Sequence, residues 1–391
     1  MWIAGAGAVS CLGLGKESLI RAVLANQSGI NDQGLGPVTD QDKLKMDQSL
    51  APLMERRDLS WPLKLTLWAA REAMGEAGWD QLTDRDGLIL ATTTGQIPLW
   101  DRALSEYYQN QISEEQFKKV FRHYSLGTIL DDISVTINAI GGEGPIFRGP
   151  RGLVSSACSA STQAIALASM WIESGKADRV LVGGVEVLCD LTVEGFRSLK
   201  LLTPGRCRPF DAARTGINLS EGAAFFCVQR EPASSRVKVS GYGMSTDSYH
   251  MTAPHPQGDG SLAAMQAALT RAGVEPRDID WVHAHGTGSL HNDLSESAAI
   301  ARLFEGNLPF VSSTKWHHGH ALGASGILEA VIDTEALKRG VMIATRGLEN
   351  IDPGISLPIE REHRSKPGMK YVLKNTLGFG GANACFLLEA R

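Results

Sequence analysis

Three short strings recur in the same order along the two parts of this chain, and that order constrains its fold more than any single motif. Ile3-Ala4-Gly5-Ala6-Gly7 returns as Val239-Ser240-Gly241-Tyr242-Gly243, each in an apolar run with a serine soon after. Leu88 to Gly95 parallels Trp281 to Gly288, both apolar runs that enter a Thr-Gly turn. Val154-Ser155-Ser156-Ala157-Cys158 parallels Val311-Ser312-Ser313-Thr314-Lys315, each ahead of a helical pattern. Ordered echoes of this kind predict two similar α/β halves, about 1–232 and 233–391, with insertions swelling the first. Ala/Leu-rich helical stretches such as 261–272 and 324–339 alternate with short apolar strands, as in sheets covered on both faces. Residues 1–9 read as a buried strand, and the polar, helix-prone stretch 99–121 as a surface insertion of the first half.

Cys158 stands where the short apolar run 152–157 gives way to an amphipathic helical pattern over 159–174. A thiol at that corner faces the unpaired amides and positive dipole end of the first helical turn, which favour the nucleophilic thiolate. A free cysteine is also commonly a small buried hydrophobe. The case for chemistry therefore rests on its partners.

Those partners are histidines in glycine-flanked motifs, His285 in Ala284-His285-Gly286-Thr287-Gly288-Ser289 and His320 in Lys315-Trp316-His317-His318-Gly319-His320. Histidines crowd the stretch 283–320, so a metal site is one reading. The spacings argue against it: no His-Glu-x-x-His is present, and no acidic ligand is clearly placed beside the histidines. His283, His291, His317 and His318 read as structural. A dinucleotide site is a second rival, because Gly5-Ala6-Gly7-Ala8-Val9-Ser10 imitates a phosphate-binding turn. Serine stands in place of the third glycine, and no acidic residue follows about 20 positions on.

A cysteine nucleophile with two histidines and no oxidising cofactor points to acyl-thioester chemistry. Two neutral imidazole N–H donors converging on one thioester oxygen stabilise an enolate more as its charge develops. Lys315 has an acidic partner available in Glu329 of the following helical stretch, with Glu296 as another acid, and a buried lysine needs such a partner. The run Leu377-Gly378-Phe379-Gly380-Gly381 is a glycine-rich turn whose backbone amides can approach an oxyanion.

The remaining features bound the class. With 391 residues, 43% of them hydrophobic and 21% charged, the chain is long enough for a large core. A net charge of -5 without long like-charged runs gives no sign of a nucleic-acid or membrane partner. The six cysteines are widely spaced without Cys-x-x-Cys pairs, which suits a reducing, cytoplasmic setting. The first charge, Lys16, follows the apolar N-terminal stretch instead of preceding it, unlike a signal peptide. No run reaches the ~18–20 apolar residues of a membrane span.

Taken together, these residues resemble the β-ketoacyl-acyl-carrier-protein synthases of the thiolase-fold superfamily, of the type II pattern. The resemblance covers nearly the whole chain. It includes Arg208-Pro209-Phe210-Asp211, Glu221-Gly222-Ala223, Tyr249 to Thr252, His285-Gly286-Thr287-Gly288 with Asn292-Asp293 and Glu296, Lys315 with Gly319-His320, and Gly378-Phe379-Gly380-Gly381. It implies a five-layered αβαβα fold of two similar halves and a cofactor-free, metal-free acyltransferase acting on acyl- and malonyl-loaded carrier protein. It further implies that Cys158 accepts the acyl group, with its own amide and that of Phe379 as the oxyanion hole. His285 and His320 assist decarboxylation, Lys315 and Glu329 form a supporting pair, and Thr287 and Ser289 bind the phosphopantetheine arm. Phe379, beside Gly380, acts as a gate. The carrier is acidic, so Arg57, Lys64, Arg206 and Arg208 are candidates for its docking patch.

The chain also departs from the family pattern. Trp316, His317 and His318 stand where a small residue and then Thr-Gly usually precede the second histidine, serine replaces threonine at 289, and alanine replaces threonine at 382. Catalytic positions persist while their surroundings differ, which leaves both fatty-acid synthesis and a specialised polyketide or aryl-polyene pathway open. Family members are dimers, homodimeric or paired with a homologue lacking the cysteine. Two rivals remain, a cysteine-dependent thioester hydrolase and a non-catalytic partner subunit; the second histidine with Lys315 weighs against the first, and the intact Cys-His-His set against the second.

Overall fold

The computed structural model describes residues 1–55, 58–121, 125–137 and 147–391. Ten strands carry the architecture. The first five are β1 (Trp2–Ser10), β2 (Asp86–Ala91), β3 (Arg151–Val154), β4 (Arg179–Glu186) and β5 (Gly222–Gln229). The second five are β6 (Val237–Thr246), β7 (Trp281–His283), β8 (Phe310–Ser312), β9 (Tyr371–Gly378) and β10 (Ala382–Ala390). Their spatial order is β8-β7-β9-β10-β6-β1-β5-β4-β2-β3. Counting outward from the middle, the two sets follow one plan: first, fifth, fourth, second, third. Pairings match too, antiparallel for the inner contacts β1/β5, β5/β4, β6/β10 and β10/β9 and parallel for the outer ones. The two sets join through β1 and β6, where Trp2 pairs with Lys238.

Each sequence echo lies in matching strands, β1 with β6, β2 with β7, and β3 with β8. The repeated glycines have a packing reason. A Cβ on Gly5 or Gly7 would fall onto the carbonyl oxygens of Ala73 and Ala69 in helix α1 (Trp61–Ala77). One on Gly241 or Gly243 would fall onto those of Ala268 and Ala264 in a helix that occupies Asp259–Ala272. Glycines two apart present one bare strand face, so a helix rich in alanine can lie directly on the backbone.

Five layers result. Helix α1 covers the outer face of the first sheet, and the helices Asp259–Ala272 and Leu290–Phe304 pack together on the far side of the second. Between the sheets lie the helices Ala160–Glu173 and Ser325–Arg339, which contact each other and strands of both sets. Ser325 to Leu337 is buried without a break, as expected for a helix sandwiched on two sides. Ile327, Leu328, Val331 and Ile332 are fully enclosed, each contributing about 1.5–3 kcal/mol of burial. These two central helices start at the functional corners, so the core of the molecule fixes the site.

The predicted surface insertion forms two helices, Ile97–Tyr108 and Glu114–Phe121, held by Tyr107 stacked on Phe117 at 5.2 Å between centroids. Among the described residues no helix is long and apolar enough to cross a membrane.

Candidate active site

Strand β3 ends at Val154, and the chain turns sharply through Ala157 into the helix that begins at Ala160. Ala157 sits at φ 49° without being glycine, a left-handed conformation that costs about 1–3 kcal/mol and persists where surroundings over-determine it. The turn projects Cys158 into a cavity of about 350 Å³ lined also by His285, Thr287, Ser289, His320, Phe379 and Gly380. The matching corner of the second set, after β8, begins the short helix Lys315–His318 and places His320 opposite.

Residues far apart in sequence converge here. His320 Nε2 lies 3.0 Å from Cys158 Sγ. The His285 ring meets the His320 ring edge-on at 5.1 Å between centroids. His285 is held from behind: Lys315 Nζ donates to its carbonyl at 2.7 Å and lies 3.4 Å from its Nδ1. An ammonium can only donate, so Nδ1 accepts and Nε2 carries the hydrogen, facing the cavity. Glu296 receives the amides of His285 at 2.7 Å and Gly286 at 2.8 Å. It therefore positions the His285 loop instead of pairing with Lys315.

Glu329 does pair with Lys315, Oε1 to Nζ at 2.5 Å, and its other oxygen holds Lys374 Nζ at 2.9 Å. All three side chains are buried. Burial works to raise Glu329, but Lys315 and then Lys374 outweigh it and hold the carboxyl well below its usual range. Lys315 is shifted down by burial, partly opposed by Glu329. Burial first and the Lys315 charge second drive both His285 and His320 well below the ordinary histidine value. Both rings are neutral at pH 7, so each has one N–H donor and one bare nitrogen.

The expected resting thiolate is corrected. Burial pushes the Cys158 thiol up to about 12, outweighing Lys315 and the backbone N–H groups of Phe379 and Cys158 that face the sulfur. The resting group is a thiol, and the nitrogen at contact distance from it is His320 Nε2. The two amides that face Sγ are those expected of the oxyanion hole. Phe379 stacks on Phe196 at 5.7 Å between centroids, and Gly380 and Gly381 that follow have positive φ, 79° and 76°, which favours glycine.

Ligand atoms of Cys158, His285 and His320 lie within 4.8 Å of one another, so histidine spacing alone does not dispose of a metal. The ammonium of Lys315 behind His285 does weigh against one, since it raises the cost of a second cation and favours an anionic intermediate.

Thr287 and Ser289 line the cavity mouth, with Thr287 Oγ1 donating to Ser289 Oγ at 3.1 Å. Of the docking candidates, Arg57 lies outside the described residues. Lys64 is bound to Asp47 at 2.8 Å with only 14% of its side chain exposed, and Arg208 is held by Asp211 and Glu349. These two are corrected from open surface cations to paired ones. Arg206 is exposed, its guanidinium 5.1 Å from the Trp316 ring centre. Sequence reasoning missed Lys374, Phe196 and Ser325, and also Lys200, an exposed cation at the cavity mouth. Nothing local distinguishes them; Lys374 and Phe196 matter through partners distant in sequence, Glu329 and Phe379.

A doubled five-strand plan with a cysteine on one corner and two neutral imidazoles supplied by the other half defines a thiolase-like condensing-enzyme architecture. Comparisons with known proteins narrow the class. Residues 2–233 match the family described as "Beta-ketoacyl synthase, N-terminal domain", and 237–349 its C-terminal counterpart. The chain is 31% identical over 342 residues to 3-oxoacyl-[acyl-carrier-protein] synthase 2 of Staphylococcus aureus, covering 82% of each. A solved ishigamide ketosynthase/chain length factor structure superimposes with TM-score 0.86 at 26% identity, covering 100% of this chain and 98% of that one. A ketosynthase of Xenorhabdus doucetiae in complex with its chain length factor gives TM-score 0.83 at 27% identity, with the same coverage. This chain belongs to the β-ketoacyl synthase family.

Proposed function

We propose that the chain is a catalytically active ketosynthase that condenses an acyl group held on Cys158 with malonyl-carrier protein. The observation that carries this reading is the 3.0 Å contact of Cys158 Sγ with His320 Nε2, with His285 beside it. In the first half-reaction the thiol proton passes to His320 Nε2 as Sγ attacks the acyl thioester. The amides of Cys158 and Phe379 receive the oxyanion, the carrier C–S bond breaks, and the carrier sulfur takes the proton from His320. In the second, the malonyl thioester loses carbon dioxide and the electron pair moves onto its carbonyl oxygen. Nε2–H groups of His285 and His320 hold that oxygen. The carbanion attacks the acyl-Cys158 carbonyl, the C–S bond to Cys158 breaks as β-ketoacyl-carrier protein forms, and the released thiolate takes a proton from water.

Lys315 and Glu329 support His285 from behind, Thr287 and Ser289 bind the pantetheine arm, and Phe379 gates the cavity against Phe196. The carrier docks beside the cavity that Lys200 lines, with Arg206 as a second exposed candidate cation. The matched strand plans support a division into halves 1–232 and 233–391. The altered Trp316-His317-His318 segment and the likeness to ketosynthases of chain length factor complexes favour specialised polyketide-type synthesis over bulk fatty-acid synthesis. They also favour pairing with a homologous subunit over a homodimer; the retained Cys158 makes this chain the active partner.

Intact-protein mass spectrometry after incubation with saturated, unsaturated and aryl-primed acyl-carrier proteins tests the reading, with Cys158→Ala as control. A mass gain that requires Cys158 and persists without hydrolysis supports it and identifies the primer. No gain with any primer, alone or with a homologous partner, refutes it; rapid turnover to free acid favours a hydrolase.

A further inference from the structure

The mechanism above, on which this inference rests, asks two opposite things of His320. Accepting the Cys158 proton needs a lone pair at Nε2, so the ring hydrogen must be on Nδ1. Donating to the enolate needs the hydrogen on Nε2, so Nδ1 must accept. Whichever group holds Nδ1 decides whether both forms are available.

For His285 that partner is Lys315, a donor only, and one form is fixed. For His320 it is different. Its Nδ1 lies 2.8 Å from the hydroxyl of Ser325, the first residue of the central helix. Ser325 is fully buried, as is His320 at 2% exposure. A hydroxyl both donates and accepts and rotates to suit. Ser325 can therefore satisfy Nδ1–H by accepting from it and bare Nδ1 by donating to it, without movement of either heavy atom. Among the described residues the hydroxyl has no other hydrogen-bond partner, so its rotation breaks nothing.

We propose that Ser325 is a positioning residue that keeps both tautomers of His320 hydrogen-bonded, and so lets one imidazole serve as base toward Cys158 and as donor toward the enolate. In the first role the S–H bond breaks and an Nε2–H bond forms, while Nδ1–H donates to Ser325 Oγ. In the second, Ser325 Oγ–H donates to Nδ1 and Nε2–H points at the substrate oxygen. The other ionisable groups facing His320 are Cys158, His285, Lys315, His318, Glu329 and Lys374. The Ser325 hydroxyl bonds to none of them, so its effect is carried through the His320 ring alone.

The test compares wild type, Ser325→Ala and Ser325→Thr, each checked for an unchanged melting temperature. Nitrogen-15 NMR of labelled histidine, with the His320 signal assigned by its loss in His320→Gln, reads the tautomer directly. Iodoacetamide alkylation of Cys158 across pH 5–9 reads the base function without any carrier protein. Wild type should show both tautomers. Ser325→Ala should collapse to the Nε2–H form, because a bare buried nitrogen costs less than a buried N–H without an acceptor. Its alkylation plateau at neutral pH should fall about tenfold to a hundredfold, the scale of a lost hydrogen bond to a charged group. Ser325→Thr should restore both readouts.

A single tautomer in wild type, or the same tautomer mixture and alkylation rate in Ser325→Ala, would overturn the proposal. So would a folded Ser325→Thr that fails to rescue. Because neither readout needs acyl transfer, failure of the condensing reading in the mass-spectrometric experiment and failure of this inference are read separately.

Discussion

Replacing Glu329 by glutamine keeps the volume of the side chain and removes a carboxylate that is ion-paired with both Lys315, at 2.5 Å, and Lys374, at 2.9 Å. All three groups are buried, so neither ammonium can turn to water. Breaking a buried ion pair from one side costs about 3–5 kcal/mol, because the orphaned charge keeps its desolvation penalty without its partner. Here two cations lose one anion, and the upper end of that range is expected at pH 7.

The deficit should shrink as pH rises. In the variant at least one lysine escapes the penalty by folding in its neutral form, while the unfolded chain keeps that lysine protonated up to about pH 10.4. The unfolded state then binds more protons than the native state, so stability increases with pH by about 1.4 kcal/mol per unit for each neutralised lysine. Thermal unfolding of wild type and Glu329→Gln at pH 7 and pH 9 measures both effects. A variant as stable as wild type at pH 7, or a deficit unchanged between pH 7 and pH 9, would refute the shared-anion account. Lys315→Met combined with Glu329→Gln should recover part of the loss, since it removes one of the stranded charges.

Other consequences are as definite. Cys158→Gln, whose amide imitates an acylated thiol, should decarboxylate malonyl-carrier protein faster than wild type without condensing it; carbon dioxide release no faster than wild type contradicts acyl gating of the second half-reaction. His285→Ala should slow that decarboxylation by about 10²–10³-fold, the usual worth of one oxyanion donor, and slow acylation of Cys158 much less; equal losses in both steps would remove His285 from the enolate role. Burial holds His317 down at about 4 and His318 at about 3, so both are neutral in the fold and take up protons on unfolding below about pH 6.5. Together they should remove about 4 kcal/mol of stability by pH 5, and chemical denaturation showing no loss between pH 7 and pH 5 would contradict this. Gly243→Ala drives a methyl into the Ala264 carbonyl and should cost about 1–3 kcal/mol. Gly195→Ala, inside the helix Asp190–Ser198 with nothing near its added methyl, should not destabilise, and melting temperatures of the two variants decide the comparison.

Much of the architecture was legible in the residues because its cause is local and periodic. Gly5 and Gly7 with Gly241 and Gly243 announce two strands on which helices lie directly, and the order of the echoes announces a plan used twice. His285 and His320 stand in turns whose glycines mark them, and Cys158 at the corner between an apolar run and a helical pattern, so their chemistry could be read before their contact was known. Lys374, Phe196, Lys200 and Ser325 carry no such mark.

Tertiary structure alone decided the rest, because charge state and pairing depend on neighbours from remote parts of the chain. The helix-end position of Cys158 favours a thiolate, yet its enclosure 162 residues away from the imidazole it meets keeps it a thiol. Lys64 and Arg208 look like docking cations until Asp47 and Glu349 are found bonded to them. Sequence determined which groups the chain has to work with. Burial, which sets the cost of every charge by removing its water, determined which of them are charged, which are paired, and which can move a proton.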